Sequence, residues 1–266
     1  MKKKIISIIA ALALVVALAA GLTACGNNDK TDWDYIQSRG KMIVGYTNYP
    51  PLDIKVDGKL QSGFDYELAL AVGKKLGIDV EFKEIVWANK TIDLNAKKID
   101  CIWNGMTISP ELQENLSLSK PYLRNRQAVV VKANETRYTD LESLRGAKLG
   151  AEMGSAGASF IEDNNLNTNY TKADKQLDLF ANLDSGINDV VVMDSIMAGY
   201  YLTLEDFQGK YKVLENVGGE AEQFAIGFRK GDTEFTAKVD TAIAELKADG
   251  TVAKLAEKYG LTSEIL

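Results

Sequence analysis

From residue 41 onward, short apolar runs alternate with longer stretches in which apolar positions recur every three to four residues. The clearest unit comes first. Residues 41–45 (Lys-Met-Ile-Val-Gly) predict a strand, and Phe64, Leu68, Ala71, Val72 and Leu76 then fall on one helical face. Gly77 stands where a left-handed C-cap would end that helix, and the next strand begins over 80–82. A helix over 92–97 and strands over 99–103 and 128–132 complete a first half. The second half predicts strands over 148–150 and 189–193, helices beginning at Ala158 and Lys175, and a helix over 195–202. A strand over 224–228 and helices over 233–247 and 252–258 close the chain. Strand and helix exchanging in this way give an α/β fold with mostly parallel sheets.

The first residues follow a different pattern. Lys2, Lys3 and Lys4 precede an uncharged, mostly apolar run from Ile5 to Leu22, which reads as an export signal. The run approaches membrane-spanning length, so an uncleaved anchor helix is the other reading. Its ending distinguishes the two: Leu22-Thr23-Ala24-Cys25, followed by polar Gly26-Asn27-Asn28-Asp29-Lys30, resembles a bacterial lipobox. That resemblance implies a lipoprotein signal peptide over 1–24, a lipidated Cys25 and a tether over 25–32. The mature protein would then be anchored by lipid to the outer face of the cytoplasmic membrane, without a spanning helix.

Composition narrows the chemistry. At 266 residues, 46% hydrophobic and 26% charged, the chain can bury a large core and is neither disordered nor a disulfide scaffold. It carries 37 acidic against 31 basic residues, a formal charge of −6, and has no basic cluster past the first residues, so nucleic acid is not an expected partner. There is no histidine, which removes Ser-His-Asp and Cys-His nucleophile systems and histidine-bearing metal sites. Only two cysteines occur; with Cys25 assigned to lipid, Cys101 has no partner and reads as core within an apolar strand. No nucleotide-binding glycine motif and no calcium loop is present, so neither cofactor nor metal is expected. Gly154-Ser155-Ala156-Gly157 lies between a predicted strand and helix, where main-chain N–H groups can hold an anion, or simply make a turn.

Several short segments occur together in a telling order: Tyr49-Pro50-Pro51-Leu52, then Gly58 through Glu67, then Asn104-Gly105-Met106-Thr107-Ile108, then Ser119-Lys120-Pro121-Tyr122. Farther on come Leu144-Arg145-Gly146, the Gly154-Ser155 turn, the run 189–194, Phe228-Arg229-Lys230-Gly231-Asp232 and the ending around Lys258-Tyr259-Gly260. Together they resemble the polar amino acid family of extracellular solute-binding proteins, the receptors of ABC importers. The resemblance implies a type II two-lobed clamp with two crossing hinge strands near 125–127 and 222–223. Lobe 1 would comprise 33–126 and 223–266, and lobe 2 would be 127–222. A monomer would capture an amino acid between the lobes and deliver it to a membrane permease and its ATPase.

The resemblance also names site residues. Tyr49 and Trp87 would sandwich the ligand side chain; Asn104, Gly105 and Thr107 would meet its charged ends; Glu152, Ser155 and Ala156 would line the pocket; Asp194 would take the α-ammonium group. Plainer roles exist for four of them: Trp87 as packing, Thr107 as a cap for a helix beginning at Pro110, Asp194 as a cap for the helix after it, Glu152 as a solvated side chain. The sequence departs from the family at one place. The arginine that usually grips the ligand carboxylate, five residues after the threonine, is Leu112 here. Arg124 and Arg126 lie near the expected crossings, although a solvated hinge explains them equally well. Without that guanidinium, a cationic amine or amino-acid derivative is the second expectation. An expectation of another class is a dehydratase-like enzyme on the same scaffold, with Glu152 as the acid.

Overall fold

The computed structural model describes residues 31–166 and 169–266; the predicted signal peptide and Cys25 lie outside the described residues. Helix α1 (Asp32–Arg39) opens the fold with Asp32 and Asp34 in its first turn and Arg39 in its last, charges that complement the helix dipole. Strand β1 (Lys41–Tyr46) leads to a hairpin of β2 (Ile54–Val56) and β3 (Lys59–Ser62) that the alternation did not predict. Helix α2 (Phe64–Leu76) ends as expected at Gly77, whose φ of 69° lets its N–H bond the carbonyls of Gly73 and Lys74. Strand β4 (Asp79–Glu84), helix α3 (Lys90–Asn95) and strand β5 (Cys101–Thr107) follow. A short helix α4 (Pro110–Asn115) then precedes β6 (Leu116–Leu118) and β7 (Leu123–Asn125).

The chain crosses into a second sheet at β8 (Gln127–Lys132). This lobe holds β9 (Leu149–Glu152), α5 (Ala156–Asp163), β10 (Thr171–Ala173), α6 (Asp178–Ser185), β11 (Val190–Asp194), α7 (Ser195–Thr203) and β12 (Tyr211–Gly218). It returns through β13 (Glu222–Arg229) and ends with α8 (Thr233–Ala248) and α9 (Thr251–Tyr259). The first sheet runs β4-β1-β5-β13-β6, with β7 also on β13; the second runs β10-β9-β11-β8-β12. The two crossing segments lie side by side, Glu222 opposite Asn125 and Gln223 opposite Arg124, in antiparallel register. This is the type II two-lobed clamp.

Central strands are apolar because both their faces are covered. Every residue of β8 from Ala128 to Val131 and of β11 from Val190 to Met193 is buried. In the first lobe Trp33 stacks on Phe235 with ring centroids 5.9 Å apart, and Phe64, Trp103, Tyr122, Phe224 and Phe228 fill the same core. Arg229 is buried there with its charge answered: Nε pairs with Asp32, and Nη1 donates to the carbonyls of Leu94 at 2.9 Å and Ile99 at 2.7 Å. Cys101 is a free, fully buried thiol whose pKa burial raises, consistent with a packing role. Helix α5 starts two residues before the predicted Ala158 because Ser155 caps it, its Oγ accepting from the Ala158 N–H at 3.2 Å. The helix expected from Lys175 begins instead at Asp178. Among the described residues no helix is long and apolar enough to cross a membrane.

Candidate functional site

A cavity of about 610 Å³ lies between the two sheets beside the crossing strands. All nine pocket residues expected from the sequence line it: Tyr49, Trp87, Asn104, Gly105 and Thr107 from the first lobe, and Glu152, Ser155, Ala156 and Asp194 from the second. Tyr49 is held by a tight turn in which the N–H groups of Leu52 and Asp53 donate to its carbonyl at 2.8 and 2.9 Å, across the cis Pro50–Pro51 bond. Trp87 begins a single turn of 3₁₀ helix after β4 and is buried. The Asn104 amide is fully engaged within its own lobe. Its Oδ1 accepts from the Thr47 N–H and hydroxyl, and its Nδ2 donates to Asp53 at 2.7 Å and the Thr47 carbonyl at 3.1 Å. Asn104 therefore offers the cavity main chain rather than its amide. Gly105 has a φ of 58°, and a Cβ there would lie 2.8 Å from both Tyr49 and Leu52, so only glycine allows this approach.

The capping roles went to other residues. Ser109, not Thr107, caps α4, accepting from the Leu112 N–H at 3.2 Å. Asp194 stands at the start of α7 but makes no capping bond; the Oδ1 of Asn125 accepts from the Ile196 N–H and the Ser195 hydroxyl instead. Both Thr107 and Asp194 are thus free to face the cavity.

Asp194 is the centre of the polar arrangement. Its Oδ1 accepts from Asn125 at 2.6 Å and Gln127 at 2.8 Å, and its Oδ2 from Gln176 at 2.7 Å. The same two amides also donate to Glu222 Oε1, which Thr107 reaches at 3.1 Å. Asn125, Gln127, Gln176 and Glu222 carry no motif, and the sequence did not single them out as site residues. Burial raises the pKa of Asp194 while its amide donors oppose the rise; burial and then the Asp194 charge raise that of Glu222. Glu152 is buried rather than solvated, and burial followed by the Asp194 charge pushes its pKa up to about 8. The Tyr49 hydroxyl is buried beside Asp194, and burial, then the Asp194 charge, raises its pKa.

Seven acidic residues thus line one cavity, among them Glu152, Asp194 and Glu222 beside the crossing strands, and no arginine does. Leu112 fills the expected arginine position and packs against the apolar group of Ile85, Trp87 and Leu94. Arg124 and Arg126 are exposed and outside the lining. The lining cations are Lys90 and Lys172. Among the described residues no group of three or more Cys, Asp or Glu side chains is arranged to hold a metal ion.

The chain resembles known proteins along most of its length. The chain is 29% identical over 251 residues to the L-cystine-binding protein TcyJ of Escherichia coli K12, covering 92% of each chain. It is 28% identical over 263 residues to the arginine-binding extracellular protein ArtP of Bacillus subtilis, covering 97% of this chain and 98% of that one. An ABC uptake transporter substrate-binding protein from Streptococcus pneumoniae, solved with bound histidine, superposes with a TM-score of 0.81 at 30% identity, covering 87% of this chain and 97% of its own. Residues 42–262 match the family described as bacterial extracellular solute-binding proteins, family 3, and the chain belongs to that family.

Proposed function

We propose that this protein is the receptor of an ABC importer, capturing an amino acid between its lobes and handing it to a membrane permease with its ATPase. The observation that carries this reading is Asp194. It is a buried carboxylate facing a cavity built by both lobes, held by three amides, with no basic residue answering it. A ligand ammonium supplies the missing cation, and a charge-assisted bond to a desolvated carboxylate is among the stronger polar contacts. Tyr49 and Trp87 offer the ring faces, and Gly105 and Thr107 the polar edge, that would enclose the rest of the ligand. Residues 33–126 with 223–266, and residues 127–222, act as the two jaws, and a ligand touching both favours closure.

The relatives support this. TcyJ and ArtP are named for the amino acids they bind, and neither is an enzyme by name. We accordingly assign capture without bond breaking: the ligand leaves the protein unchanged, and Glu152 serves the pocket's charge rather than as a catalytic acid.

The test is a calorimetric panel of the twenty L-amino acids, L-cystine, agmatine and cadaverine. At least one amino acid should bind, and at 100 times its dissociation constant it should stabilise the fold by about 2.7 kcal/mol. Binding confined to the two amines would overturn the amino-acid reading and leave the clamp intact.

Cys25 is the proposed lipid attachment point, fixing the receptor outside the cytoplasmic membrane. Cys25→Ala should release the protein from membranes or leave the precursor uncut; fractionation showing unchanged membrane association and unchanged precursor processing refutes the anchor.

A further inference from the structure

The cavity has a strongly anionic end, and one cation beside it has no evident task. Lys90 opens α3 and is partly buried. Its ammonium lies 4.7 Å from the centroid of the Trp87 ring. Of its three N–H donors, one reaches the Gly154 carbonyl at 2.9 Å, from the opposite lobe, and a second the Trp87 carbonyl at a marginal 3.5 Å. Among the described residues no carboxylate forms a salt bridge with it. Burial lowers its pKa, with Glu152 and Glu111 opposing that fall from a distance.

Carbonyl oxygens are poor compensation for an ammonium withdrawn from water, because they offer dipoles where a counter-charge is needed. The other lining cation, Lys172, is half-exposed and already faces Glu162 at 4.0 Å. Position 112 is apolar, and Arg124 and Arg126 are outside the cavity. Resting on the amino-acid reading of the site, we infer that Lys90 is the group that binds the ligand's carboxylate, in place of the arginine that this chain replaces with Leu112. The cavity then has two poles. Asp194 and Glu222 hold the ammonium at the hinge, and Lys90 holds the carboxylate between Trp87 and Gly154. Because its ammonium already touches the opposite lobe, a carboxylate bound there also strengthens the closed form.

The amino acid that the panel ranks first, and its carboxamide, are titrated into the wild type, Lys90→Met and Lys90→Arg. Lys90→Met should weaken the amino acid at least tenfold and the carboxamide less than twofold, while Lys90→Arg keeps most of the affinity. Adding Leu112→Arg to Lys90→Met should restore part of the loss for the amino acid alone. Lys90→Gln carries the same expectations should Lys90→Met fold poorly, and the unliganded variants should unfold near the wild-type temperature. Equal losses for both ligands overturn the inference and make Lys90 a strut between the lobes, and an amino acid indifferent to Lys90 overturns it too. A panel without any amino-acid hit overturns the amino-acid reading and this inference with it, so the two failures are told apart.

Discussion

Two pairs of acids, one enclosed in the first lobe and one lining the cavity, do opposite things. Asp53 and Asp65 are fully enclosed in the first lobe, outside the cavity lining. Asp65 Oδ2 accepts from the Gly105 N–H at 3.0 Å and the Tyr122 hydroxyl at 2.8 Å, while Asp53 Oδ2 accepts from Asn104. Each of these aspartates also keeps one buried oxygen without a partner among the described residues. Burial pushes the pKa of Asp65 up to about 7, and burial and then the Asp65 charge raise that of Asp53 well above its usual value. At the hinge, Asp194 is buried and Glu222 partly buried, and both line a space that a ligand can enter. The first pair fixes the backbone that shapes the pocket; the second leaves its charge open to whatever fills it. Burial alone therefore does not single out a candidate binding carboxylate, whereas burial against an open cavity does.

The comparison is broken most directly by removing one acid from each pair. Asp65→Ala should cost about 3 kcal/mol of stability, because it strands the Gly105 N–H and the Tyr122 hydroxyl in the core. Chemical denaturation showing a loss under about 1 kcal/mol would mean that this pair is dispensable to the fold. Asp194→Ala should act the other way round. Affinity for the amino acid should fall by more than about 2 kcal/mol while the unliganded protein loses little, since the variant also removes a desolvated charge. Titration showing affinity within a few tenths of a kcal/mol of wild type would take Asp194 out of the binding site.

The smallest expected effect sharpens the comparison through pH. Glu152 binds its proton more tightly folded than unfolded, because its pKa rises from 4.5 to about 8. Its contribution to stability is therefore complete below the unfolded value and is lost as pH rises through that interval. Asp53 and Asp65 have the same sign. The unliganded protein should accordingly melt at lower temperature at pH 8 than at pH 5, and Glu152→Gln should flatten part of that slope. A Glu152→Gln profile parallel to wild type in scanning calorimetry would show that the Glu152 pKa is not raised by burial.

The sequence made much of this legible. Apolar runs at β1, β5, β8 and β11 and the Gly77 cap are local signals, strong because central strands are buried on both faces. Strand β12 escaped because its exposure alternates irregularly around a register shift, leaving no clean period. The β2–β3 hairpin escaped because none of its residues is fully buried, so no continuous apolar run marks it. At the candidate site, the residues singled out from family motifs line the cavity. Asn125, Gln127, Gln176 and Glu222 were missed, since three neutral amides and one glutamate among many look like any surface residue until crossing strands bring them to Asp194. Lys90 was missed for the same reason: one lysine among many acquires meaning only when its neighbours are known. The alternatives for Thr107 and Asp194 were decided by which residues actually cap the following helices, and those lie at Ser109 and Asn125.

The return of the chain into its first lobe has a consequence for how the protein comes into being. Strand β13 closes the first sheet by pairing with β5 and β7, and the contact between Thr107 and Glu222 joins residues 115 apart. A ribosome or translocase delivering the chain from its N-terminus therefore cannot complete the first lobe until nearly the whole polypeptide has emerged. Until then the face of β5 that awaits β13 stays open, and contacts of such long separation form slowly. The second lobe, whose strands all fall between residues 127 and 218, carries no such delay and can assemble first. A topology that postpones closure keeps the leading half unfolded for longer, which is the state a chain needs in order to be threaded through a membrane.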